Sequence, residues 1–123
     1  MNSPTRNTLF GCILCLIFAG YYASEAKAGI DYDSANFMLP KCEHSLLENA
    51  YDVWDGMCSG ISSTLWAFGS VLPANVRFCP PKGSTSEQTT RIIVNYLKRH
   101  PEGLQDPYRY LAVTALHDAW PCK

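Results

Sequence analysis

Beyond Cys12 and Cys15, which lie in the apolar N-terminal run, the sequence has no Cys-x-x-Cys pair, and its three histidines, His44, His100 and His117, are widely scattered. The first absence removes the knuckle of a structural zinc site, and the second leaves no close pair of imidazoles for one. No glycine-rich phosphate loop and no Gly-x-Ser-x-Gly elbow occur, so nucleotide-hydrolysing and serine-hydrolase chemistry have no anchor. Basic residues are not in excess: ten Lys and Arg face eleven Asp and Glu. A nucleic-acid partner is therefore not expected. Strict apolar-polar alternation is missing, which argues against half-buried strands. No cofactor and no metal are expected.

A membrane-spanning run is missing too. The longest apolar stretch, Leu9 to Ala19, is roughly half the ~20 residues a bilayer requires. Arg6 precedes it and Ala26-Lys27-Ala28 follows it, the three-part pattern of a secretory signal peptide over residues 1–28. Cleavage is expected after Ala28, or alternatively after Ala26, with no stable membrane insertion afterwards. The remaining chain keeps eight basic against ten acidic side chains, a net of −2.

Cysteine is present where it matters. Removal of residues 1–28 takes away Cys12 and Cys15 and leaves Cys42, Cys58, Cys79 and Cys122, an even set in an exported small domain. Two disulfides are expected, in a periplasmic or secreted protein. Four cysteines allow three connectivities. A helical hairpin would place Cys79 with Cys122 at one end and Cys42 with Cys58 across the other, and nested pairing is sterically allowed as well. Oxidation argues against a thiol nucleophile built on Cys42 with His44 or on Cys58 with Asp55.

The exported part reads as a small, disulfide-stapled, all-α bundle of about four helices. Residues 29–36 are polar and lack periodicity, so they are expected as a flexible lead-in, with the domain spanning 37–123. A first helix is expected from about Pro40 to Glu48. Trp54, Cys58, Ile61, Leu65 and Phe68 then step by four and three, one face of a second helix. Gly56 and Gly60 on that helix are expected to let a neighbouring helix approach, and Gly69 to end it. Asp52 and Asp55, three apart, read as solvated surface acids. Thr85 with Gln88 forms a capping box for a third helix with Ile92, Ile93, Tyr96 and Leu97 inside. Asp106 and Pro107 start a fourth, with Leu111, Ala112, Ala115, Leu116 and Ala119 as its inner stripe.

The connection from His100 to Pro107, flanked by Tyr108, Arg109 and Tyr110, collects the most exposed-looking polar and aromatic side chains. Tyr and Arg favour interface hot spots, although tyrosines here equally suit the edge of the core. No residue is assigned a catalytic role.

Phe78-Cys79-Pro80-Pro81-x-Gly83, then Gln88, Arg91-Ile92-Ile93-Val94-x-Tyr96-Leu97, His100-Pro101-Glu102, Leu111, Ala115-Leu116 and Ala119-Trp120-Pro121-Cys122 follow one another in order. This series resembles the Rap/Tai immunity proteins of bacterial type VI secretion. Upstream, Cys58-x-Gly60 is similar to the start of the family's second helix, with Ile61 where an aromatic is usual and Thr64 where a second glycine would fall. The resemblance implies a small periplasmic helical protein, often dimeric, that binds and occludes a peptidoglycan amidase effector and catalyses nothing itself. His100, Glu102, Gln105, Tyr108 and Arg109 are the residues expected to meet that partner. A second class of function, a periplasmic acid-stress chaperone, shares the small stapled helical build and would expose apolar surface at low pH.

Overall fold

The computed structural model describes residues 29–49 and 52–123; the expected signal peptide lies outside them. Four helices follow in order: α1 (Ala35–His44), α2 (Val53–Phe68), α3 (Ser86–Arg99) and α4 (Tyr108–Ala119). Short 3₁₀ turns, Gly69–Val71 and Pro101–Gly103, end α2 and follow α3. No strand occurs among the described residues, and no helix there is long and apolar enough to cross a membrane.

The helix α3 occupies the middle, packed on α2, α4 and α1. Its buried face is correspondingly wide, taking in Thr89, Thr90, Ile93, Val94 and Leu97, while Ile92 and Tyr96 sit at its margin. The capping box forms as the sequence implies: Gln88 N–H donates to Thr85 Oγ1, and Thr85 N–H donates to Gln88 Oε1. The apolar centre is made by Met38, Cys42, Cys58, Phe78, Ile93, Leu97, Tyr108 and Leu116, all at most 1% exposed.

The helix α1 begins five residues before the expected Pro40, because Ser34 caps it: its Oγ accepts from Phe37 N–H. Pro40 consequently lies inside the helix rather than in its first turn. The latter half of the segment expected as a flexible lead-in, residues 33–36, is built into the fold. Ser34 and Ala35 are buried, and the backbone of 33–36 exchanges hydrogen bonds with residues 104–108: Ala35 N–H to Asp106 O at 3.0 Å, Asn36 N–H to Leu104 O at 2.7 Å, Tyr108 N–H to Asp33 O at 2.7 Å. Tyr32, Phe37 and Trp54 complete the attachment as a three-ring cluster, with Tyr32 stacked on Trp54 and Phe37 edge-on to it.

The far end of α4 is fastened in the same way. Cys79 N–H donates to Trp120 O at 2.8 Å, and Phe78 bridges to Pro121. Cysteine pairing follows this layout, Cys42 with Cys58 and Cys79 with Cys122. The first bridge is buried and joins α1 to α2; the second lies at the surface and joins the Pro80-Pro81 turn to the chain's end.

Close approach between elements occurs at a different glycine from the expected pair. A Cβ on Gly56 or Gly60 would meet nothing within 4 Å, whereas one on Gly69 would collide with the ring of Phe78. Phe78 is fully buried against that bare backbone.

Candidate partner-binding surface

The connection between α3 and α4 owes its shape to His100. Preceding Pro101, it leaves the helical region (φ −123°, ψ 59°) and stops α3. Gly103 N–H then donates to His100 O and Asp106 N–H to Gly103 O, folding the loop onto itself. Since the carbonyls of Leu104 and Asp106 are taken up by the backbone of Asn36 and Ala35, the loop is tied to the start of the chain. It presents its side chains from a fixed frame, which lowers the entropy lost on docking.

His100 stacks beside Tyr96, with ring centres 4.3 Å apart, and its Nδ1 faces Glu102 Oε1 at 3.1 Å. Hydrogen bonding by its own backbone N–H, and then by His100, holds the Glu102 carboxyl below the usual range. Gln105 and Asp106 are exposed beside it. Arg109 projects from the first turn of α4 and donates through Nη2 to Asp33 Oδ2 at 2.6 Å, so one of the expected contact residues is already paired within the chain. The fork keeps further N–H groups open to solvent.

Tyr108 departs from the expectation. It is 1% exposed and points into the bundle, because α4 turns positions 108, 112, 115 and 116 inward together. Its hydroxyl lies 3.2 Å from Cys42 Sγ and 3.5 Å from Cys58 Sγ. Disulfide sulfurs carry no proton, so the phenol is the donor. Burial pushes its pKa from the ordinary 10.0 up to about 12. Tyr110, two positions on, takes the outward place at 67% exposure. The four-residue step from Tyr108 to Ala112 was the available signal.

A second polar cluster stands where α1 meets α2. His44, Asp52 and Asp55 bring three potential ligand atoms within 4.8 Å of one another. Each carboxylate is engaged in helix capping: Asp52 Oδ1 accepts from Trp54 and Asp55 N–H, and Asp55 Oδ2 accepts from Asp52 N–H. Asp55 Oδ1 faces His44 Nδ1 at 2.8 Å. Asp55 is therefore a buried cap rather than the solvated acid expected, and its pKa is lowered chiefly by the Asp52 backbone N–H. The cluster fits a helix start, with its donors and acceptors matched. His117, at the other end, is held through Nδ1 against Arg77 O at 2.7 Å.

Open grooves elsewhere include two along α2. One, about 520 Å³, runs between Trp66 and the Cys79–Ser84 turn, where Trp66 Nε1–H donates to Ser84 Oγ. The other, about 400 Å³ and nearly all apolar, lies along α2 over Met57, Gly60, Ile61, Thr64 and Leu65. Neither gathers a nucleophile with a base.

Comparison with curated proteins and with solved structures finds no match. The family model described as Rap1a immunity proteins matches residues 34–122. That span starts at the serine capping α1 and ends at the cysteine closing the second bridge, so it takes in the stapled four-helix unit from one end to the other. The chain belongs to the Rap1a immunity protein family.

Proposed function

We propose that this protein is a periplasmic immunity protein of type VI secretion that binds a peptidoglycan amidase effector and blocks its active-site groove. The carrying observation is the family match over the whole helical unit, residues 34–122. The two disulfides suit an oxidising compartment, which supports a periplasmic site of action. The loop from His100 to Pro107 is the docking element in this reading. His100, Glu102, Gln105 and Arg109 offer charge and hydrogen bonds from a backbone already fixed, with Tyr110 as the exposed aromatic at its edge.

Occlusion needs a stiff projection rather than a reactive group, and the loop's tie to residues 35 and 36 supplies the stiffness. The purified, disulfide-bonded protein is expected to capture an amidase effector from the same genome with nanomolar affinity and to stop its cleavage of peptidoglycan. Replacing Glu102 and Gln105 by Ala together is expected to weaken that capture by tenfold or more. Failure of every amidase effector in that genome to bind removes this reading.

A further inference from the structure

From Gly56 to Ser86 the chain holds only two charged side chains, Arg77 and Lys82, and no acid. Arg77 is turned onto its own loop, donating through Nε to Leu72 O at 2.9 Å. Lys82 is exposed and enters none of the ion pairs among the described residues, whereas Arg91, Lys98 and Arg109 each face a carboxylate. It stands on the wall of the groove between Trp66 and the Cys79–Ser84 turn, and it is the sole charge among the residues lining that groove. The volume, about 520 Å³, falls within the ~300–1,000 Å³ of small-molecule clefts.

The groove is built before any ligand arrives. Cys79 is bonded to Cys122 and its N–H donates to Trp120 O, and Pro80 and Pro81 fix the backbone that follows. Gly83 takes φ 87°, which other residues rarely adopt, and Ser84 N–H closes the turn on Pro81 O at 3.0 Å. Trp66 Nε1–H donates to Ser84 Oγ at 3.0 Å, which fixes the indole against the turn. Trp66 is 39% exposed, and with its one polar side-chain atom engaged the indole offers the groove carbon alone. Ser70 and Ser84 add hydroxyls, and Ser84 keeps its own proton to donate.

A flat carbon wall, hydroxyl groups and one cation suit an acidic saccharide. A pyranose lays its C–H face against the negative face of an aromatic ring and turns its hydroxyls outward, while a carboxylate reaches the ammonium. An extended peptide is served poorly: Pro80 and Pro81 have no N–H, and the Cys79 N–H and Pro81 carbonyl are already taken. We propose that this groove binds a muropeptide, the disaccharide of peptidoglycan with its carboxylate-bearing stem, the sugar on Trp66 and a carboxylate on Lys82. The choice of saccharide rests on the periplasmic placement above and not on capture of an effector. The groove lies before the start of α3 and the His100–Pro107 loop beyond its end, so each can be tested without the other.

Titration of the exported, disulfide-bonded chain with the disaccharide tetrapeptide that a muramidase releases from peptidoglycan tests this, read by the indole N–H resonances. The Trp66 resonance is expected to shift saturably with Kd below about 1 mM, while that of Trp54 stays in place. By calorimetry, Trp66→Ala should weaken binding about tenfold or more, and Lys82→Gln about three- to fivefold, the effect of one exposed charge pair. Chitobiose, a disaccharide without a carboxylate, should bind wild type and Lys82→Gln equally. Lys82→Gln alters an exposed side chain and should melt with wild type, so it decides the matter even where Trp66→Ala fails to fold. A Trp66 resonance unmoved at about 10 mM muropeptide, or undiminished binding in Lys82→Gln, overturns the proposal. Equal binding of the free tetrapeptide also overturns it and gives the groove to a peptide.

Discussion

Two residues show how much of this bundle depends on a single atom's presence or absence. Gly69 presents bare backbone to the Phe78 ring, and Phe78 N–H donates to its carbonyl at 3.3 Å. Gly69→Ala should overpack that contact and cost about 1–3 kcal/mol, lowering the melting temperature by roughly 5–15 °C. Thermal unfolding by circular dichroism measures this, and an unchanged melting temperature would show that the ring moves aside freely. Tyr108 is the counterpart, a hydroxyl retained in the core. The folded chain holds its phenolic proton more tightly than the unfolded chain, with a pKa of about 12 against 10.0. Stability is then complete below pH 10 and declines as pH rises towards 12. Tyr108→Phe should flatten that alkaline decline. Equilibrium urea unfolding across the alkaline range reads it out.

Among the elements, the junction of α1 and α2 is the one whose acid chemistry can be followed. The carboxyl of Asp55 is lowered from its ordinary 3.8, first by the backbone N–H of Asp52 and also by His44. A depressed carboxyl contributes stability that is present above its unfolded value and is lost as pH falls through the folded one. Melting temperature should therefore hold steady above about pH 5 and drop below about pH 4, and Asp55→Asn should lower the plateau while shrinking the acid drop. A drop of unchanged size in Asp55→Asn would assign acid sensitivity to other carboxylates. The helices themselves were legible: the capping box at Thr85 and Gln88 and the stripe through Trp54, Cys58, Ile61 and Leu65 follow from spacing alone, although Phe68, expected on the same face, turns outward at the helix end and is 59% exposed. The start of α1 was not, because Ala35 and Asn36 are held by the carbonyls of Asp106 and Leu104, some seventy positions away. For the same reason nothing in the sequence marked the packing of Tyr32 on Trp54 and Phe37. In the loop proposed to dock and the first turn of α4, Glu102, Gln105 and Arg109 were legible as exposed and His100 as half-exposed, while Tyr108 was misplaced because its inward position is set by the helix it starts rather than by the polar sequence around it.

For the molecule as a whole, the two disulfides divide the labour unequally. Cys42–Cys58 closes a separation of 16 residues and is buried; Cys79–Cys122 closes 43 and lies at the surface. On loop length alone they restrict the unfolded chain by about 3 and about 4 kcal/mol. Exposure decides which is reached first by a reductant. Mild treatment of the folded protein should free Cys79 and Cys122 and leave Cys42 and Cys58 joined, as alkylation followed by peptide mass mapping would show. Simultaneous release of all four thiols would mean that the core opens before the surface bridge reacts.

The Cys79–Cys122 bond encircles α3, the His100–Pro107 loop and α4 in one covalent ring. A protease that cuts the loop therefore opens the ring without dividing the molecule. The severed ends stay joined through the bridge, and the fragments part on a gel only after reduction. In a compartment shared with hydrolytic enzymes, the segment proposed to face the effector can be nicked and still remain part of the same particle.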